Sequence, residues 1–295
     1  MPRALNGTVE LEYDTFGQKR DRPLLLVMGL GAQMIAWREG FCEQLAGLGH
    51  YVLRYDNRDV GLSTKFDDFP MPSMAELVAQ RAAGKTPQVP YTLSDMADDG
   101  MAVLDAEGLA TAHICGASMG GMIVQAMALQ HRSRIRTLTS IMSSTGSPGL
   151  PPARPSAMAA LTAPPAQNRE EAMDRAVANG KVIGSPGFPA DPAETRDFAV
   201  RVYDRSFTPL GTARQMAAVG ANGNRRPALE QLSLPALVIH GRDDPLVPVE
   251  CGIDTYQALS GSDLLIIGGM GHDLPKALWQ RIAQAINGKT TECNS

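Results

Sequence analysis

Short apolar runs alternate with longer amphipathic stretches along most of this chain. Residues 8–16 place Val9, Leu11 and Tyr13 on one face, which predicts an edge strand forming a hairpin with the strand that follows. Residues 24–28 (Leu-Leu-Leu-Val-Met) are continuously apolar, as expected of a strand buried on both faces of a parallel sheet. That run ends in the glycine-rich segment Gly29-Leu30-Gly31-Ala32. A helix is predicted over about 34–48, stopped by Gly49, then a strand over 50–55 and a polar loop over 56–63. A second helix is predicted over 94–107 with Ser94 as its N-cap. Strands follow at 112–115 and 135–142, with a helix over 119–131 between them. Strands that alternate with helices in this way imply a parallel sheet covered by helices on both faces.

The pattern changes at Ser143. Residues 146–227 are rich in Ala, Pro and Met and carry helical stretches at 170–179, 194–205 and 211–219, with no strand signal. They predict a helical insert that leaves a core of residues 1–145 and 228–295. Met158, Met173 and Met216 fit either packing within it or a pliable acyl pocket. Strand patterns resume at 236–240 and 264–267. A last helix is predicted over 275–286, and the polar tail from Asn287 is expected to fray.

Between the strand at 112–115 and the helix after it lies Gly116-Ala117-Ser118-Met119-Gly120, a G-x-S-x-G pattern. An ordinary strand-turn-helix corner would also fit the bare motif. In its context of apolar strand and following helix, it marks a strained turn that projects a serine hydroxyl. The helix N-terminus offers positive charge and free N–H groups beside that hydroxyl.

A serine hydroxyl needs a general base, and the base needs an orienting acid. Elbows of this kind take serine, acid and histidine in that chain order. Of five histidines, only His272 follows the final strand, in the loop Gly268-Gly269-Met270-Gly271-His272-Asp273. An ordinary imidazole titrates near 6.5, suited to proton transfer near neutrality. Asp243 and Asp244 both follow the strand at 236–240; Pro245 biases Asp244 towards an extended backbone and selects it, with Asp243 as a loop-stabilising charge. Backbone N–H groups of Met119 and Leu30 are the expected oxyanion donors, Leu30 from its position after the strand at 24–28. Gly29 and Trp37 are candidates for the substrate pocket, although Trp37 fits the core equally well.

Composition narrows the class. The chain has 295 residues, 44% of them hydrophobic, enough for one large α/β domain with an insert. A net charge of −4 without a basic stripe speaks against nucleic-acid partners. Four scattered cysteines (Cys42, Cys115, Cys251, Cys293) show no metal-ligand spacing and suit a reducing compartment. The first ten residues lack the build of a signal peptide, and no apolar run reaches membrane-spanning length. The expectation is a soluble cytoplasmic protein, monomer or homodimer, with no cofactor and no metal.

Taken together, these residues resemble the α/β-hydrolase superfamily. Within it, residues 25–29, 54–63 (Arg-Tyr-Asp-Asn-Arg-Asp-Val-Gly-Leu-Ser), 116–120, Asp244-Pro245 and 269–275 are similar to the aclacinomycin methylesterase type. The resemblance implies a mostly parallel sheet of about eight strands, with a helical cap inserted after the sixth. It implies the triad Ser118, Asp244 and His272, and a cofactor-free serine carboxylesterase acting on small-to-medium esters. Arg58, Asp59 and Ser63 could bind substrate, but their location in the family favours mainly loop-bracing contacts. Where many relatives have His-Gly before the oxyanion loop, this chain has Met28-Gly29. The same site is compatible with a perhydrolase (cofactor-free haloperoxidase) or hydroxynitrile lyase, and the fold with a low-turnover receptor. Serine at the elbow excludes the dehalogenase and epoxide-hydrolase branches, which carry aspartate there.

Overall fold

In the computed structural model, which describes residues 2–69, 79–80, 83, 85 and 88–292, the first ladder is a short hairpin. Strand β1 (Arg3–Asn6) turns at Gly7 and pairs antiparallel with β2 (Val9–Phe16). Strand β2 also pairs antiparallel with β4 (His50–Tyr55). It is therefore not an edge strand, and its hairpin partner precedes it. Four residues of mixed polarity (Arg-Ala-Leu-Asn) are too short a run for alternation to reveal β1.

Strand β3 (Arg22–Val27) runs parallel between β4 and β5 (Ala112–Ala117). Parallel strands β6 (Ile135–Ile141), β7 (Ala236–Gly241) and β8 (Asp263–Ile267) complete the order β1-β2-β4-β3-β5-β6-β7-β8. The described residues thus form the mostly parallel eight-stranded sheet of an α/β architecture. The chain leaves β3 towards β4 and leaves β5 towards β6, on the opposite side. The crevice between the C-terminal ends of β3 and β5 is the switch point where open α/β sheets bind ligands.

Strand β3 is apolar on both faces because both are covered. Leu25 and Val27 face one cluster with Leu93, Met96, Val103, Ile123 and Met127. Leu24 and Leu26 face the other with Phe41, Leu45, Ile282 and Ile286. These residues come from α1 (Glu39–Gly47), α2 (Leu93–Ala106), α3 (Met119–Gln130) and α10 (Trp279–Glu292). The helix predicted over 34–48 is divided into a 3-10 turn (Met34–Ala36) and α1. The cap of α2 is Thr92, not Ser94: its hydroxyl accepts from Asp95 N–H while the Asp95 carboxylate accepts from Thr92 N–H. The C-terminus does not fray at Asn287. Helix α10 continues to Glu292, and Thr290 is buried against His50, 2.8 Å from its Nε2. Cys293 lies outside the described residues.

Between β6 and β7, the described residues form five helices: α4 (Pro155–Leu161), α5 (Arg169–Ile183), α6 (Pro192–Arg205), α7 (Pro209–Asn222) and α8 (Arg226–Leu229). This layer is thin. Helix α6 has no fully buried residue and α5 only Met173, while Met158 on α4 is exposed. Helix α9 (Val249–Ala258) follows β7.

Polar contacts fasten the layer to the sheet. Arg214 on α7 makes paired bonds of 2.8 and 2.7 Å to Asp59, and both are fully buried. Asp59 also accepts from Tyr91 and from Phe66 N–H. Arg58 pairs with buried Asp99, and the Ser63 hydroxyl donates to Asp56 O. The loop after β4 is therefore braced by the residues expected to brace it, and one brace comes from the insert.

The Asp59–Arg214 pair generates the first prediction. Arg214→Leu strands a buried carboxylate, which costs about 3–5 kcal/mol when a buried pair is broken. Urea unfolding should show that loss; one below about 1 kcal/mol would assign the pair little weight.

Burial pulls the His50 imidazole down to about 4, and burial with neighbouring His50 pulls His113 to about 3. Well above about pH 6.5 both are neutral, folded or unfolded. As pH falls from there towards 4, only the unfolded chain takes up these protons, so stability is lost across that window, by up to about 1.4 kcal/mol per pH unit per histidine. Urea midpoints measured between pH 7.5 and 4 should fall accordingly, and His113→Gln should remove one histidine's share of the slope. An unchanged slope in that variant would show that His113 is not held neutral.

Candidate active site

The site begins with a backbone constraint. Strand β5 runs into α3 through Ser118, which has φ 56° and ψ −121° although it is not glycine. Such a conformation is strained and persists only where its surroundings enforce it. A Cβ at Gly116 would stand 2.1 Å from the Gly120 carbonyl oxygen, and one at Gly120 would stand 2.1 Å from Val27 O. The second contact adds to the expected approach of Gly116 and Gly120: the first turn of α3 is pressed against the end of β3. Ser118 N–H donates to Ile141 O at 2.9 Å, and the Ser143 hydroxyl donates to Ser118 O at 2.8 Å. The Ser118 side chain is thereby projected, half-buried, at the switch point between β3 and β5.

His272 and Asp244 meet it there. Ser118 Oγ lies 3.0 Å from His272 Nε2, and His272 Nδ1 lies 2.7 Å from Asp244 Oδ2. An ionised carboxylate can only accept, so Nδ1 carries the imidazole proton and Nε2 accepts from the serine hydroxyl. Asp244 is buried, and its other oxygen accepts from Leu246 and Val247 N–H at 2.9 and 2.8 Å. These bonds hold the carboxylate facing the ring. His240, neutral because burial lowers its affinity for protons, spans the same loop with a 2.8 Å bond from Nε2 to Val247 O.

Asp243 points away from the ring. Its backbone N–H donates to Met270 O, and its carboxylate accepts from Gly269 N–H at 2.7 Å. It ties the acid loop to the histidine loop. His50, His113 and His131 bond to Thr290, Thr137 and Asp98 respectively, all outside this site.

Gly29 lies beside the serine: a Cβ there would stand 3.0 Å from Ser118 Cβ and 3.5 Å from Oγ. Gly29, Leu30, Gly31 and Ala32 form a tight turn closed by Ala32 N–H to Gly29 O at 3.3 Å, with Gly31 at φ 66°. Gly31 N–H donates to Gln215 Oε1 at 2.8 Å. Leu30 N–H and Met119 N–H meet no acceptor among the described residues, and they belong to the two segments that flank Ser118.

Trp37 does not join the site. Its ring is fully buried and stacks on Phe41 at 5.7 Å, in the cluster beneath the sheet. The pocket-wall reading of Trp37 is corrected to core: no surface is left for a substrate to touch. A cleft of about 800 Å³ lies on the outer side of the acid loop, lined by Ser185, Asp243 and Pro245 among others. Neither Ser118 nor His272 lines it, so it is not a reaction chamber.

Sequence reasoning missed the contacts from the insert. Gln215 on α7 is fully buried, accepting from Gly31 N–H and donating to Arg58 O at 2.8 Å. Gln33 donates to Val202 O and Ser206 O, and accepts from Arg205. Ser185 meets the histidine loop at Gly271 N–H. No local signal marks these residues, because each contact joins segments more than 80 residues apart.

Comparison with known proteins supplies independent findings. A family model described as alpha/beta hydrolase fold matches residues 22–275. Rhodomycin D methylesterase DauP of Streptomyces sp. (strain C5) is 30% identical over 94% of this chain and 94% of its own. Rhodomycin D methylesterase DnrP of Streptomyces peucetius is 27% identical over 95% of each. Among solved structures, the meta-cleavage product hydrolase CumD of Pseudomonas fluorescens IP01 superposes with a TM-score of 0.76 at 18% identity. That match covers 100% of this chain and 98% of the other, a likeness of fold.

Proposed function

The chain belongs to the α/β-hydrolase family as an ester-hydrolysing enzyme, and we propose that it cleaves small-to-medium carboxylic esters through an acyl-enzyme on Ser118. One observation carries the reading: the unbroken chain of hydrogen bonds from Asp244 through His272 to Ser118, at 2.7 and 3.0 Å. His272 Nε2 takes the hydroxyl proton as Ser118 Oγ attacks the ester carbonyl. Asp244 holds the ring in the reactive tautomer and stabilises the imidazolium that forms. The carbonyl oxygen, now carrying negative charge, is received by Leu30 N–H and Met119 N–H, the latter at the positive end of α3.

His272 then gives its proton to the departing alkoxide, and the alcohol leaves. Water, deprotonated by the same nitrogen, attacks the acyl-enzyme carbonyl; as the adduct collapses, His272 returns that proton to Ser118 Oγ and the carboxylic acid is released. Gly29 floors the site, since any side chain there would crowd the nucleophile. Residues 146–227 act as a helical cap over Ser118. Such a roof suits substrates that apolar side chains can largely surround. The two methylesterase relatives favour a methyl ester as the natural bond.

Ser118→Ala should lower kcat for p-nitrophenyl esters by about a million-fold. In the same assay, Asp244→Asn should cost about 10⁴-fold by losing the orienting carboxylate. Asp243→Asn, which keeps an oxygen for Gly269 N–H, should change little. Substantial turnover by Ser118→Ala would end the mechanism, and a larger loss from Asp243 than from Asp244 would reassign the acid.

Chain length tests the cap. Each buried CH₂ contributes about 0.8 kcal/mol, so kcat/KM along p-nitrophenyl acyl esters should rise about fourfold per carbon. It should fall once the pocket is filled. A maximum at palmitate, with rapid hydrolysis of emulsified triolein, would instead indicate an opening lid and a lipase.

A further inference from the structure

We infer that Ser185, in the turn after α5, is a positioning residue that holds His272 in line with Ser118. This rests on the reading of His272 as the base. The histidine loop is poorly suited to hold its own shape. Residues 268, 269 and 271 are glycines, which lose more conformational freedom on ordering than any other residue. Few of its backbone bonds are internal: Met270 N–H reaches Ile267 O only at 3.4 Å. An accurately placed imidazole on such a loop needs support from outside it.

The support comes from two sides. On the core side, Asp243 takes Gly269 N–H. On the insert side, the turn at residues 183–187 lies along the loop. His272 N–H donates to Ile183 O at 2.7 Å, and Gly187 N–H donates to Gly269 O at 2.9 Å. The fit is close: a Cβ at Gly271 would stand 2.3 Å from Gly184 O.

Within that turn, the Ser185 hydroxyl is buried and uses both of its roles. It accepts from Gly271 N–H at 2.9 Å and donates to the Asp273 carboxylate. Gly271 and Asp273 are the two neighbours of His272, so one hydroxyl pins the chain on either side of the imidazole. The donated proton also occupies Asp273 Oδ1, fixing that carboxylate in the turn. Losing the hydroxyl leaves the buried Gly271 N–H without its partner and takes one donor from the half-buried Asp273 carboxylate. The loop then relaxes at the one residue whose ring must meet two partners.

The test compares Ser185→Ala, Ser185→Thr and Asn168→Ala in the full chain. Asn168 caps the distant end of α5, so its loss loosens the same helix without touching the histidine loop. Ser185→Ala should lower kcat on the order of ten-fold with KM little changed, because misplacement of a reacting group acts on the chemical step. The downfield proton NMR signal of His272 Nδ1–H, hydrogen-bonded to Asp244, should broaden or disappear. Ser185→Thr, which keeps the hydroxyl, should recover most of both, and Asn168→Ala should alter neither. Should Ser185→Ala fail to fold, Ser185→Cys carries the comparison, with a thiol that is a weak acceptor in place of the hydroxyl.

Unchanged kcat and an unchanged Nδ1–H signal in the hydroxyl-free variant would overturn the inference, as would equal losses in Asn168→Ala. The NMR signal does not depend on turnover. Failure of the ester-hydrolase reading would show as an inactive wild type with the signal intact, distinct from failure of the role of Ser185.

Discussion

The close approach of β3 and α3 at Gly120 is the constraint on which this molecule depends. With Val27 O only 2.1 Å from where a Cβ would be, the helix can start only where it does. The corner that joins it to β5 must then be tight, and Ser118 absorbs the strain at φ 56°. The same approach brings Gly29 and Leu30 beside the serine, because they continue from the strand end that touches the helix. The proposed nucleophile and oxyanion donors therefore share one cause. Strain of this kind must be balanced by stable surroundings, and β3 and β5, covered on both faces, provide them.

The layer between β6 and β7 is better understood as part of the site than as a detachable roof. Helix α6 buries no residue fully and α5 only Met173, while α7 buries five. Yet the layer's polar side chains reach three of the loops around the serine. Arg214 and Gln215 grip the loop after β4, Gln215 and Arg205 grip the segment after β3 at Gly31 and Gln33, and Ser185 grips the loop after β8. Hydrogen bonds of this sort contribute modest net stability but cost more when one partner is removed. They fix geometry more than they hold the layer down.

What was legible in the sequence follows the range of the forces involved. Strands β3 to β8 and the corner at Ser118 are written in local patterns: continuous apolar runs, glycines at fixed spacing, and chain order for the acid and the histidine. Asp244 could be separated from Asp243 because Pro245 acts on its immediate neighbour. Several hidden parts depend on partners distant in the chain, whereas Thr92 with Asp95 and Trp37 with Phe41 are near neighbours whose geometry the hydrophobic pattern leaves open. Strand β1 carries too little alternation to be seen and is defined by pairing with β2. Thr92 rather than Ser94 caps α2 because Asp95 completes the capping box. The C-terminal turn survives as helix because His50 waits for Thr290. Trp37 could not be assigned to pocket or core until Phe41 was seen stacked against it. Gln215 and Ser185 look like any other polar residues of an amphipathic segment.

Whether Ser118 is the nucleophile is the central claim. Its most direct measurement is peptide mapping by mass spectrometry after the wild-type protein meets an activated organophosphonate, beside a His272→Ala control. The account predicts one stoichiometric adduct, on the Ser118 hydroxyl, formed rapidly in the wild type and very slowly without the imidazole. An adduct on another residue, or equal labelling with and without His272, would contradict it.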